Sequence, residues 1–190
     1  MNNINTPKRS KTKMIIIIIV ALIGALLIFA ATKPDNFRIE RSITINATPD
    51  RVFELVNDFH AWNLWSPWEK KDPDMKRTYS GSATGIGAIY AWEGNNSVGT
   101  GEMEITTSVP FSHIQIALRF MKPFKANNTA DFIFTPNSDA TRVSWSMHGE
   151  NTYIGKVMQI FMSMEKMVGP DFELGLKQLK TAAESNLSSQ

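Results

Sequence analysis

The side chains that most often carry catalysis or hold metals are few in this chain and poorly spaced for either role. The three histidines, His60, His113 and His148, lie far apart and show none of the short spacings that place two imidazoles on one ion. Cysteine is absent, which removes disulfides, thiolate zinc sites and a cysteine nucleophile. Glu102 and Glu104 alternate with apolar residues, and His113 and His148 fall on the polar positions of two other alternating stretches, so all four are expected to face solvent. Asp72 stands before Pro73, as a turn residue does. Gly81, Gly85 and Gly87 lack the lysine and the following helix of a phosphate loop, and no serine stands in a nucleophile-elbow pattern. No acid, base and electrophile assemble on one face, so no catalytic residue, metal ligand or cofactor is assigned. Arg41 is the exception to a polar outer face: it falls on an apolar parity, where an arginine needs a carboxylate or ligand oxygen, or a strand end from which it reaches water.

What remains is apolar and aromatic chemistry, concentrated in Trp62-Asn63-Leu64-Trp65-Ser66-Pro67-Trp68. A tryptophan buries a large area, and its ring N–H wants a partner. Trp62 and Trp65, three apart, fit one side of a short helix, and Pro67 turns the chain at Ser66 so that Trp68 leaves in a new direction. Two roles fit these residues. They form a core plug where a short helix gives way to a strand, or an aromatic wall at the mouth of a ligand cavity.

The net charge of +2 is unevenly placed. Lys8, Arg9, Lys11 and Lys13 precede an uncharged apolar run from Met14 to Ala31, while the rest of the chain is slightly acidic. That balance offers no footprint for nucleic acid. As a helix the run spans about 27 Å, close to the hydrocarbon thickness of a bilayer. Its length argues for an uncleaved transmembrane anchor over a signal peptide, although Ala30-Ala31-Thr32 weakly matches a cleavage site. The basic flank places the N-terminus in the cytoplasm and the bulk of the chain outside it. The expected organisation is a basic tail over 1–13, the span over 14–31, a linker over 32–36, a globular domain over 37–185 and a tail over 186–190.

The globular part begins with a strand, Phe37 to Asn46, whose apolar side carries Phe37, Ile39, Ile43 and Ile45. Thr48-Pro49 opens a short amphipathic helix with proline at its first position, and Phe59 to Leu64 forms a second helical piece. Six further strands follow. The alternation predicts them over 75–80, 88–93, 98–107, 113–120, 124–135 and 141–148, with turns at Gly94-Asn95-Asn96 and Pro136-Asn137-Ser138-Asp139. Short turns between successive strands make the sheet an antiparallel meander. Two helical segments close the chain. Ile154 to Met167 is rich in Met, Ile and Phe, and after an interruption at Gly169-Pro170 a helix over 171–185 places Phe172, Leu176, Leu179 and Ala183 on one stripe.

This order of elements, together with Ile43-Thr44-Ile45-Asn46-Ala47-Thr48-Pro49-Asp50-Arg51-Val52-Phe53, the Trp stretch, Gly87-Ala88-Ile89-Tyr90-Ala91-Trp92 and Gly169-Pro170-Asp171-Phe172-Glu173-Leu174-Gly175-Leu176-Lys177-Gln178-Leu179-Lys180, resembles the helix-grip fold of the START-like (SRPBCC) superfamily, and within it the bacterial polyketide cyclase/dehydrase-like group. The resemblance covers about Phe37 to Glu184. It implies an α+β fold in which a curved antiparallel sheet of about seven strands wraps a long C-terminal helix, with an apolar cavity between them. The concave face would present Tyr90, Trp92, Met103 and Phe120, then Phe132, Trp145 and Met147. Met158, Phe161, Met162 and Phe172 are candidates from the helical end, and Trp62 and Trp65 from the Trp stretch. Each of these also reads as plain core, since any antiparallel sheet packed on a helix has such a face. The implied function is binding of an apolar, amphipathic or lipid-like small molecule by a membrane-tethered domain. The alternatives are a cyclase/dehydratase-type enzyme using the same cavity, or a tethered protein-interaction domain. The sequence does not specify an oligomeric state.

Overall fold

The structure, a computed structural model, describes residues 9–185. The first eight residues of the basic tail and the tail over 186–190 lie outside the described residues. The described residues divide into two compact units, residues 9–35 with 151–163, and residues 36–150 with 164–185.

The first unit is helical. α1 (Arg9–Ala31) contains the whole apolar run and extends it towards the basic flank. It is long and apolar enough to cross a membrane, and its apolar side chains are almost all exposed, as those of a lipid-facing helix are. α4 (Tyr153–Phe161) packs against it. Thr152 caps α4, its hydroxyl accepting the backbone N–H of Gly155 at 3.2 Å.

The second unit is a seven-stranded antiparallel sheet with one long helix. Its strands are β1 (Asn36–Ile45), β2 (Lys76–Gly81), β3 (Ala88–Glu93), β4 (Thr100–Val109), β5 (His113–Lys122), β6 (Ala126–Asn137) and β7 (Ala140–Glu150). They lie in the order β1-β7-β6-β5-β4-β3-β2, so β1 crosses over to pair with the last strand and the rest form the expected meander. Between β1 and β2 come α2 (Pro49–Asn57), a 3-10 turn over 59–64 and α3 (Trp68–Lys71). α5 (Met164–Glu184) lies along β1 and also packs on α2. Register shifts in β4 beside Gly101 and between Ile105 and Thr107 bend the sheet. The fold is the helix-grip architecture expected from the order of elements.

Period-two patterning decides which face is dry. Ile39 and Ile45 of β1, Tyr90 and Trp92 of β3, Met103 and Ile105 of β4, Ile114 and Ile116 of β5, Phe132 and Phe134 of β6, and Val143, Trp145 and Met147 of β7 are all buried. On α5 the buried stripe is Phe172, Leu176, Leu179 and Ala183, as the spacing predicts. Gly101 stands beside the Trp92 indole, where a Cβ would come within 2.6 Å of the ring; its absence lets Trp92 reach the edge of Phe120.

The helical end departs from the expectation. The break falls at Met162-Ser163, not at Gly169-Pro170, and Pro170 sits inside α5. An interior proline withholds one N–H and costs a helix about 3 kcal/mol, so tertiary contacts must hold the segment. Arg41 supplies two of them. Its guanidinium bonds Glu165, before the proline, and Glu173, after it, the latter at 2.8 Å. Of the two fates open to Arg41, the structure shows pairing with carboxylates. β6 also begins at Ala126, two residues later than predicted, with Phe124 exposed in the preceding bend.

Candidate functional site

The inner face of the sheet is occupied by a continuous set of aromatic rings. Trp145 of β7 stacks on Phe172 of α5, with centroids 4.0 Å apart, and on Phe132 of β6 at 4.9 Å. Trp65 and Trp68 meet Trp145 edge-on at 5.7 and 5.8 Å. Trp62 adjoins Trp65 at 4.5 Å and Phe59 at 5.4 Å. Gly175 makes the helix–sheet approach possible, because a Cβ there would stand 2.8 Å from the Trp145 ring.

Local structure explains the placement of the tryptophans. The 3-10 turn over 59–64 is opened by Asp58, whose carboxylate accepts the backbone N–H of His60 at 2.8 Å. Trp62 and Trp65 then point inwards on one side, and both are buried. The indole N–H of Trp62 donates to the carbonyl of Val56 at 2.9 Å, and that of Trp65 to Leu55 at 2.8 Å. Trp92 donates to Val98 at 3.0 Å. The indole N–H of Trp145 is also buried, yet it has no hydrogen-bond partner in the structure. A buried donor left unpaired costs about 1–3 kcal/mol and is rare enough to need an explanation.

A polar cluster borders these rings. The Tyr90 hydroxyl donates to Glu69 Oε1 at 2.6 Å, and Arg77 Nε donates to Glu69 Oε2 at 2.6 Å. Arg77 is fixed in turn by the Met75 carbonyl at 2.5 Å. Tyr79 stacks on Tyr90, and His60 on Tyr79, at 5.1 and 4.1 Å. Burial, and then the bond to the Glu69 carboxylate, push the Tyr90 phenol well above its ordinary value of 10.0. Tyr90 therefore stays protonated, and its one O–H is engaged by Glu69, so it can donate elsewhere only by giving up that bond. Neither Glu69 nor Arg77 stands out along the chain, because Glu69 reads as part of a charged tail after the tryptophans. The available signal is parity: Arg77 and Tyr79 share one side of β2 and pair with Trp92 and Tyr90.

The remaining candidates divide by location. Met103 and Met147 are buried on the inner face, and Phe120 is partly buried against Trp92. Met158, Phe161 and Met162 are exposed and belong to the first unit with α1 and α4. On the outer face, His113 and His148 are brought to one carboxylate that neither sequence position suggests. His113 Nε2 lies 2.9 Å, and His148 Nδ1 3.6 Å, from Asp131. Among the described residues, no three histidine or acidic side chains are arranged to hold a metal ion. Asp72 is buried, not merely a turn residue: it accepts the backbone N–H of Asn95 at 2.6 Å and so closes the β3–β4 loop.

Solved structures share the architecture at low identity. The ARO/CYC di-domain BexL of the BE-7585A biosynthetic pathway superposes with a TM-score of 0.60 at 15% identity, over 82% of this chain and 52% of that one. A Staphylococcus aureus protein of unknown function gives 0.57 at 14%, over 81% and 98%. The Aha1 dimer from Colwellia psychrerythraea gives 0.52 at 16%, over 78% and 96%. No curated protein matches the chain. A family model described as polyketide cyclase / dehydrase and lipid transport matches residues 36–184, the whole of the sheet and its long helix. The chain therefore belongs to the polyketide cyclase / dehydrase and lipid transport family, carrying in addition an N-terminal helix long and apolar enough to span a membrane.

Proposed function

We propose that the sheet domain takes up an apolar or lipid-like small molecule against its aromatic inner face while α1 tethers it to a membrane. The observation that carries this reading is the Trp145 N–H. It is buried and unpaired in an interior where Trp62, Trp65 and Trp92 each give theirs to a carbonyl. A carbonyl or carboxylate oxygen on an otherwise apolar guest suits that donor. The family description, which names lipid transport, supports the same reading. The basic residues before the apolar run favour a topology with the N-terminus in the cytoplasm and the domain, from residue 37 onward, outside it. A short tether keeps such a domain at high local concentration near membrane-derived molecules.

A second reading, a cyclase- or dehydratase-type enzyme using the same interior, is favoured by the Tyr90–Glu69–Arg77 cluster. It also has the stronger backing from the comparisons, since the family description names cyclase and dehydrase and one similar structure is an ARO/CYC di-domain. In that reading the Tyr90 hydroxyl turns its one proton from Glu69 to a carbonyl of the guest, while Arg77 keeps its bond to the Glu69 carboxylate.

The test is mass spectrometry of compounds that stay with the full chain extracted in mild detergent, with Trp145→Phe alongside. The parent is expected to retain an apolar compound bearing an oxygen acceptor, and the variant to retain less. If the parent retains nothing, and its tryptophan fluorescence shows no saturable change with fatty acids, lysolipids or flat aromatic compounds, the binding reading falls. Conversion of a retained compound on incubation, abolished by Tyr90→Phe, selects the enzyme.

A further inference from the structure

α4 presents an apolar face with no protein partner among the described residues of its unit. Ile154, Met158 and Phe161 recur at i, i+4 and i+7, so they share one side of the helix. They are 61, 40 and 75% exposed, and Met162, at 54%, continues the stripe. The other side is engaged. Lys156 is buried, and its ammonium meets Asp35 at 2.5 Å. The Tyr153 hydroxyl donates to the carbonyl of Leu27 at 2.9 Å. Just before the helix, the backbone N–H of Asn151 donates to the Asp35 carbonyl at 2.7 Å and its side-chain amide to Pro34 at 3.0 Å. α4 is thus fastened to the end of α1 by one side while its oily side is bare.

The level of the attachment identifies what covers that side. Leu27 lies within the apolar run, four residues before the end of α1, which is about 6 Å along the helix axis. A helix lying in a membrane interface buries its apolar face about 5–10 Å into the boundary between headgroups and acyl chains. Tyrosine is enriched at that level, where its ring sits among the chains and its hydroxyl finds a polar partner. We propose that α4 is a membrane-surface helix, continuous with the α1 span, that sets Ile154, Met158, Phe161 and Met162 among the lipid acyl chains. This rests on the reading of α1 as a retained anchor. The charge pattern fixes the kind of surface. Lys156 is the only cation of α4, and Asp35 neutralises it, so the attraction is apolar and does not depend on anionic lipid. The covering partner is the bilayer itself, whatever its headgroup charge.

The absence of cysteine allows a direct test on the full chain, because each introduced cysteine is the only thiol. Ile154→Cys, Met158→Cys and Phe161→Cys, each carrying a nitroxide, are reconstituted into phosphatidylcholine vesicles, with Ile19→Cys as a label within the span. Collision with oxygen is expected to exceed collision with a water-soluble nickel chelate several-fold at 154, 158 and 161, and more at 19. Neither added phosphatidylglycerol nor raised salt should change the ratios. Water-like ratios on α4 with a deep label at position 19 overturn the surface helix alone. Water-like ratios at all four positions remove the anchor reading and the proposal with it. Protection from both agents, with spectral broadening that disappears on dilution with unlabelled chain, shows a second copy on this face and also overturns the proposal. A depth that appears only with anionic lipid overturns the apolar mechanism.

Discussion

The indole of Trp145 lies face to face with the ring of Phe172, with centroids 4.0 Å apart and planes 10° from parallel. This pair joins the last strand to the long C-terminal helix, and it exists because Gly175 leaves room for the indole. Such stacking adds about 0.5–1.5 kcal/mol to the burial of two large rings.

Phe172→Ala is expected to destabilise the domain by about 3–5 kcal/mol, since the surrounding rings cannot collapse into the space. Trp145→Phe should cost much less, about 1 kcal/mol, because the lost area is partly offset by removing a buried donor that has no partner. Denaturant unfolding of the full chain in mild detergent, followed by far-ultraviolet circular dichroism, measures both. Equal losses in the two variants would show that the Trp145 N–H is satisfied in solution.

Trp65→Ala should cost about 3–5 kcal/mol for the same reason, as the ring is fully buried between Trp62, Phe132 and Trp145. Trp65→Phe separates packing from polarity. It keeps an aromatic ring but leaves the Leu55 carbonyl without its donor, at about 1–3 kcal/mol. A negligible effect of Trp65→Ala in the same unfolding experiment would favour the cavity-mouth reading over the core plug.

These residues show what was legible in the chain and what was not. Alternation from Phe37 to Ile45 and the stripe Phe172, Leu176, Leu179, Ala183 report burial directly, because side-chain period follows backbone geometry. The sheet and the C-terminal helix were therefore readable. The carboxylate shared by His113 and His148 was not, because it arises from the joint registers of β5, β6 and β7. Glu69 is hidden for a similar reason: its partners Arg77 and Tyr90 lie on two later strands. The position of the helix break was obscured by Pro170, whose local signal says stop while Arg41, well over a hundred residues earlier, bonds both sides of it. The amphipathic face of α4 is periodic in sequence, but apolar periodicity does not say whether protein or lipid covers it.

Acid should loosen the seam between β1 and α5. The Glu184 carboxyl is held below its ordinary value of 4.5 by the hydrogen bond from Lys180 and by the backbone N–H of Asn46, which it accepts at 2.6 Å. Away from that seam, Glu40 on β1 is likewise lowered, by Ser144 of β7 and then Arg38. A carboxylate whose folded value is depressed adds stability above the unfolded value, and that contribution is lost as pH falls through the folded one. Stability should therefore decline from about pH 4.5 downward. Glu184→Gln should lower stability at neutral pH and flatten this acid limb. An acid limb of unchanged slope in the variant would place the titration elsewhere.

Glu69 is the residue on which the second functional reading turns, and its chemistry can be read without knowing a substrate. The Tyr90 phenol is raised by burial first and then by the Glu69 carboxylate, which accepts its hydrogen bond at 2.6 Å. Glu69→Gln removes the charge but keeps the shape, so the phenol should ionise at lower pH than in the parent. Because burial is the larger cause and persists, it should still ionise above the ordinary value of 10.0. Ultraviolet phenolate titration follows this, and Tyr90→Phe identifies which of the tyrosine signals moves. The same change unpairs Arg77, which is partly exposed, so the cost in stability should be about 2 kcal/mol, below the 3–5 kcal/mol of a fully buried broken pair. A Tyr90 titration identical in parent and variant would mean that Glu69 does not hold the phenol proton. The cluster would then be a structural ion pair, and the interior would keep only its binding role.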